Sequence, residues 1–174
     1  MTPVGVVFLV IMLLFGVIGI VRGVAKELGV TVMLLIALMA LELMYSMFAA
    51  RITQLLNQVF GISPASVPTF LAVCSVGFLM LVTFISYQGM TLVFPIKSTS
   101  WFFGLGIGLI NGYLFAGSIW YYLQTAGWPL LKSVVKPEYS QLNQTLINLM
   151  PPAIFSWQVL LLMVVFLMIL RVWK

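Results

Sequence analysis

Residues 3–21 read PVGVVFLVIMLLFGVIGIV, an unbroken apolar run that stops at Arg22. At ~1.5 Å of rise per residue, such a run makes a helix of about 30 Å, the thickness of a bilayer's hydrocarbon core. No basic residue precedes it, and no small-x-small cleavage site leads into a soluble mature domain. It therefore reads as a retained anchor rather than a secretory signal. Working outward, four more runs share its character. They cover about residues 28–50, between Lys26-Glu27 and Arg51; 68–94, from Pro68 to the residue before Pro95; 101–123; and 153–172, after Pro151-Pro152. The expectation is an all-α integral membrane bundle of about five transmembrane helices, forming a single domain over residues 1–174.

Composition points the same way. The chain is 63% hydrophobic and only 6% charged, against about 45–50% and about 25% for a soluble domain. So few charges cannot cover a water-facing surface, which excludes a soluble or disordered protein. Histidine is absent, and all three acidic residues, Glu27, Glu42 and Glu138, are glutamates. The usual haem ligand, metal ligand and general base are thus missing. Cys74 is the single cysteine, so no internal disulfide can form. No phosphate-binding glycine loop, metal-ligand spacing or nucleophile–base pair occurs. The expectation is a non-enzymatic protein without cofactor or metal. The net charge of +5 is spread along the chain rather than clustered, which argues against a nucleic-acid partner.

Lys and Arg set the expected orientation. With the amino terminus outside, Arg22, Lys26, Lys97, Arg171 and Lys174 fall on the cytoplasmic side, and Arg51, Lys132 and Lys136 on the other. The carboxyl terminus is then cytoplasmic. Trp101, Tyr121, Tyr122, Trp128, Trp157 and Trp173 lie near span ends, as an interfacial belt requires.

Two connecting segments are amphipathic. In residues 51–60, Ile52, Leu55, Leu56, Val59 and Phe60 share one helical face, Thr53, Gln54, Asn57 and Gln58 fill the other, and Gly61 is a natural stop. A weaker repeat, Leu142, Leu146, Leu149 and Met150, spans residues 140–150. Both read as interfacial helices resting among lipid headgroups. The alternative is a docking face for a partner subunit, towards which their amide-rich polar sides lean.

The fourth run carries Gly104, Gly108, Gly112 and Ala116 at spacings of four, and the first carries the shorter pair Gly19 and Gly23. A face without side chains lets another backbone approach closely. It serves either packing inside the bundle or homodimerisation. Glu42 is the one carboxylate expected at depth, where charging it costs a few kcal/mol. It should therefore face the bundle, neutral or hydrogen-bonded, with Tyr45 and Ser46 as local partners. Asn111 is the best remaining candidate for an interhelical hydrogen bond.

The junction Arg22-Gly23-Val24-Ala25-Lys26-Glu27, following a glycine-containing span, resembles the Arg-Gly-x-x-x-Glu junction of the colicin V production protein family. The stretch from Phe103 through Gly104, Gly106, Gly108 and Asn111 to Gly112 is similar to that family's later glycine-repeat helix. The likeness covers about residues 1–124, with the fifth span as an extension. Ser100 and Trp101 stand where the family tends to have an aspartate-basic pair, and Asn111 where a basic residue often precedes the last glycine. The resemblance implies a bacterial inner-membrane protein linked to colicin V production or export and to envelope functions. Its partners would be the lipid bilayer and other membrane-protein subunits or further copies of the chain. Two rival expectations remain: an accessory subunit of a respiratory or photosynthetic complex, and a small transporter or channel using Glu42.

Overall fold

The architecture is that of a computed structural model, described over residues 4–89, 92–96, 100–128 and 141–172. It is all helical, with no strand among the described residues. The helices are α1 (Val4–Arg22), α2 (Val24–Phe60), α3 (Val67–Gln88, after a 3₁₀ turn at Pro64–Ser66), α4 (Trp101–Thr125), α5 (Gln141–Asn148), α6 (Pro151–Ile154) and α7 (Trp157–Val172). By length and composition, α1, α2, α3 with its leading turn, and α4 can each cross a membrane, and α7 is a shorter apolar helix.

Three elements differ from the sequence expectation. The amphipathic segment 51–60 is not a separate helix but the last stretch of α2, which runs 37 residues without a break. Nothing between Leu28 and Phe60 can stop a helix, since this stretch holds no proline and its only glycine, Gly29, lies in the first turns. The third run stops at Gln88, and residues 92–96 leave helical geometry to cross the start of α2. There the Phe94 N–H donates to the Ala25 carbonyl at 3.0 Å, and a Cβ on Gly29 would overlap the Leu92 carbonyl oxygen. The fifth run is split. Pro151 and Pro152 open α6, Phe155 takes an extended backbone, and α7 continues for 16 residues, or about 24 Å. The weaker amphipathic repeat becomes α5, with Leu142 outside the described side chains.

Of the four described glycines with positive φ, Gly23 and Gly61 set the turns on either side of α2. Gly61 closes α2 in the left-handed conformation at φ 64°; its N–H donates to the Asn57 carbonyl at 3.1 Å and the Ile62 N–H to the Leu56 carbonyl at 3.2 Å, an αL-type cap. Gly23, at φ 80° and ψ 159°, reverses the chain between α1 and α2 in a region that essentially only glycine occupies. It was expected to pack with Gly19, yet a Cβ there would meet nothing within 4 Å. Its value lies in the backbone angle. Gly23→Ala is expected to destabilise the fold by about 1–3 kcal/mol through strain alone, read from the midpoint of SDS-driven unfolding in mixed micelles.

Packing follows from the small residues. α1 makes its main contact with α4 rather than with its hairpin neighbour α2. At this seam a Cβ on Gly19 would overlap the Gly104 carbonyl oxygen, and one on Gly108 would overlap the Phe15 carbonyl oxygen. A Cβ on Gly112 would lie 2.8 Å from the Met12 Cα. The stripe is therefore filled by α1, leaving that face of α4 no room for a second copy. The main core lies between α2, α3, α4 and α7, around Leu34, Leu35, Leu38, Leu79, Phe94, Leu114 and Leu160. Buried hydroxyls are satisfied within their own helices: Ser75, Thr83, Ser86 and Ser118 each donate to the carbonyl four residues back. The outward side of α1, including Leu9, Val10, Leu13, Leu14 and Val17, is apolar and exposed, as a lipid-facing surface requires.

Candidate functional site: a four-helix polar cluster

The Gly23 turn places Arg22 in the last turn of α1 and Glu27 in the first turn of α2. Each charge complements the dipole of its own helix, a cation at a C-terminus and an anion at an N-terminus. Glu27 is fully buried. Its Oε1 accepts from Arg22 Nη1 at 3.2 Å. Its Oε2 accepts from Asn111 Nδ2 of α4 at 2.8 Å and from the Tyr87 hydroxyl of α3 at 3.0 Å.

A second layer holds these groups in place. Asn111 Nδ2 also lies 3.1 Å from the Glu27 backbone carbonyl. The Thr31 hydroxyl has that carbonyl at 3.0 Å and Asn111 Oδ1 at 2.8 Å as acceptors. The Arg22 guanidinium lies 4.4 Å from the centroid of the Tyr87 ring and reaches the Ser86 carbonyl at 3.5 Å. Phe15 meets Tyr87 edge-on at 5.5 Å. One carboxylate thus ties together all four span-length helices. Both its oxygens are engaged by donors, which describes a clamp rather than an open site for a substrate.

The sequence expectations fall out unevenly. Arg22, Gly23, Glu27 and Asn111 converge here, while Lys26 is exposed. A second span beginning at Leu28 would leave Glu27 in the connection. The helix begins at Val24, which draws Glu27 inside. Tyr87 and Thr31 were not singled out. The available signal was the helical register: Glu27 and Thr31 are four apart and share a face.

Glu42 stands apart from this cluster. It is partly buried and makes no hydrogen bond among the described residues. Its expected local partners are engaged elsewhere, the Tyr45 hydroxyl with Ser75 Oγ at 3.0 Å and Ser46 Oγ with the Leu43 carbonyl at 3.4 Å. Tyr45 turns towards α3 and α4, where its ring stacks on Tyr122 at 5.5 Å.

The amphipathic face of 51–60 is divided. Leu56 is buried against Val67 and Leu71, with Ile52 packed beside it. Leu55, Val59 and Phe60 point away and are 57%, 66% and 72% exposed. Among the described residues no cluster of His, Cys, Asp or Glu could hold a metal ion. Lys97, Lys132, Lys136, Lys174 and Trp173 of the orientation argument lie outside the described residues. Comparison with protein-family models, curated proteins and solved structures returns no match.

Proposed function

We propose that this chain is a non-enzymatic, multi-span protein of the bacterial cytoplasmic membrane that acts by docking a partner membrane protein. In this reading the amino terminus is outside and the carboxyl terminus cytoplasmic. The observation that carries it is the reach of α2. Its 37 residues span about 55 Å, well beyond the ~30 Å of hydrocarbon. A helix continuous with a transmembrane span cannot also lie flat in the headgroup zone, so its far end projects from the bilayer. The Leu55, Val59 and Phe60 side chains there are uncovered. Exposed apolar side chains on a projecting arm suit a protein partner better than water.

The Arg22–Glu27 pair gives the Arg-Gly-x-x-x-Glu junction a physical reason, which supports kinship in kind with the colicin V production family. A role in toxin production or export, or in the envelope, would follow from that kinship.

The test is a photo-crosslinking residue at Val59 in the native membrane. The expected result is one dominant protein adduct, absent when the crosslinker stands instead at exposed Leu13 of α1. Lipid adducts alone at Val59 would overturn the reading.

A further inference from the structure

Helix α2 carries a heptad row that outlasts the bundle. Leu34, Leu38, Leu41 and Tyr45 follow one another at alternating steps of four and three residues, and all four pack in the main core. The same alternation continues without a slip through Phe48, Ile52, Leu55 and Val59. A repeat of 3.5 residues marks a helix face that packs along another helix. Inside the bundle the facing helices are present. On the projecting arm the row runs on uncovered: Phe48, Leu55 and Val59 are exposed, and Ile52 is covered only in part.

The row is continuous with the core packing, so the neighbour it lacks is a further helix. Its residues also specify which helix. Steps of three lead from a to d and steps of four from d to a, which puts Ile52 and Val59 at a and Leu55 at d. β-branched residues at a with leucine at d favour two parallel strands. Copies of one membrane protein inserted alike stand parallel in the bilayer, so their arms meet in that sense without bending. Charge permits the pairing as well. Arg51 is the only charged residue between Phe48 and Phe60, and it takes a g position. In a parallel pair g faces the e position of the other helix, here Leu56, and not the second Arg51. Four stations make a short contact. Two arms already held in one plane and one orientation, however, lose less freedom on pairing than free helices do.

We propose that the arm of α2 pairs with the arm of a second copy of this chain, as a parallel two-helix coiled coil along Phe48, Ile52, Leu55 and Val59. The inference rests on the docking reading above and names the partner as the chain itself.

Cysteine crosslinking of the full chain in native membranes tests it, with Cys74→Ser removing the exposed native thiol. Equal positions of the row face each other across the pair, so Leu55→Cys and Val59→Cys should each form an intermolecular disulfide on mild oxidation. Both positions are exposed, so neither cysteine disturbs the core. Gln54→Cys, exposed but off the row, should stay monomeric, because a disulfide needs Cα atoms within about 7 Å. Adding Leu55→Glu to Val59→Cys should abolish the disulfide by setting two carboxylates against each other. Co-expressed copies carrying two different tags identify the product, and both tags in one band are expected. No disulfide at either position, an equal yield at Gln54→Cys, or a disulfide that survives Leu55→Glu would each overturn the proposal. The photo-crosslink at Val59 keeps the two readings apart. A dominant adduct with a different protein, without any disulfide, would overturn self-pairing and leave docking standing, whereas lipid adducts alone would overturn both.

Discussion

Replacing Glu27 by alanine is expected to cost about 3–5 kcal/mol of stability, the usual loss when one partner of a buried ion pair is removed. The change strips the acceptor from Arg22, Tyr87 and Asn111 together, so donors on three other helices lose their common partner. Against a typical total of about 5–15 kcal/mol, this is enough to leave much of the protein unfolded in mild detergent. Arg22→Met is expected to be less damaging, because Arg22 is partly exposed while Glu27 keeps its two neutral donors. The double replacement Arg22→Met with Glu27→Leu should recover part of the single-site loss, since it removes both charges at once. SDS-driven unfolding followed by far-ultraviolet circular dichroism measures all three. A loss below about 1 kcal/mol for Glu27→Ala would show that the cluster does not clamp the bundle.

A comparable loss is expected at the glycine seam. Gly19→Val and Gly108→Val each place a branched side chain where even a Cβ would overlap a carbonyl oxygen of the facing helix. α1 must then move off α4. Overpacking by a methyl or two costs about 1–3 kcal/mol where the neighbour is a side chain. Here it is backbone on both sides, so the upper end or beyond is expected. Gly77→Ala and Gly106→Ala supply the opposite sign. A Cβ at either meets nothing within 4 Å, and replacing a helical glycine by alanine should stabilise by up to about 1 kcal/mol. If seam and control variants unfold alike, close contact between α1 and α4 is not what holds α1 in place.

The helices were legible because apolar runs of membrane length admit few other structures. The Gly61 stop and the stripe of α4 were legible because glycine spacing has direct geometric meaning. Burial of charge was not. Reading Lys26-Glu27 as a boundary put Glu27 outside the bilayer and left Glu42 as the buried carboxylate. The structure makes Glu27 the fully buried carboxylate and leaves Glu42 partly buried, because helix α2 begins at the Gly23 turn and buries Glu27 within its first turn. Which side chain reaches which depends on packing between distant segments: Tyr87 and Asn111 meet Glu27 only once α3 and α4 stand against α2. Ala116 illustrates the same limit. Its spacing continues the stripe, but only the three-dimensional arrangement of α1 and α4 makes it a cavity wall.

The pairing of α1 with α4 also sets a timetable for biogenesis. The facing glycine, Gly104, emerges from the ribosome long after Gly19, about 4–17 s later at roughly 5–20 residues per second. Through that interval the first helix resides in the membrane with its groove open, and Glu27 has Arg22 but not yet Asn111. The insertion machinery or surrounding lipid must shelter that groove until α4 arrives. Its arrival closes the seam and delivers the last donor to the carboxylate in one event, while the main core still waits for α7, whose Leu160 completes it.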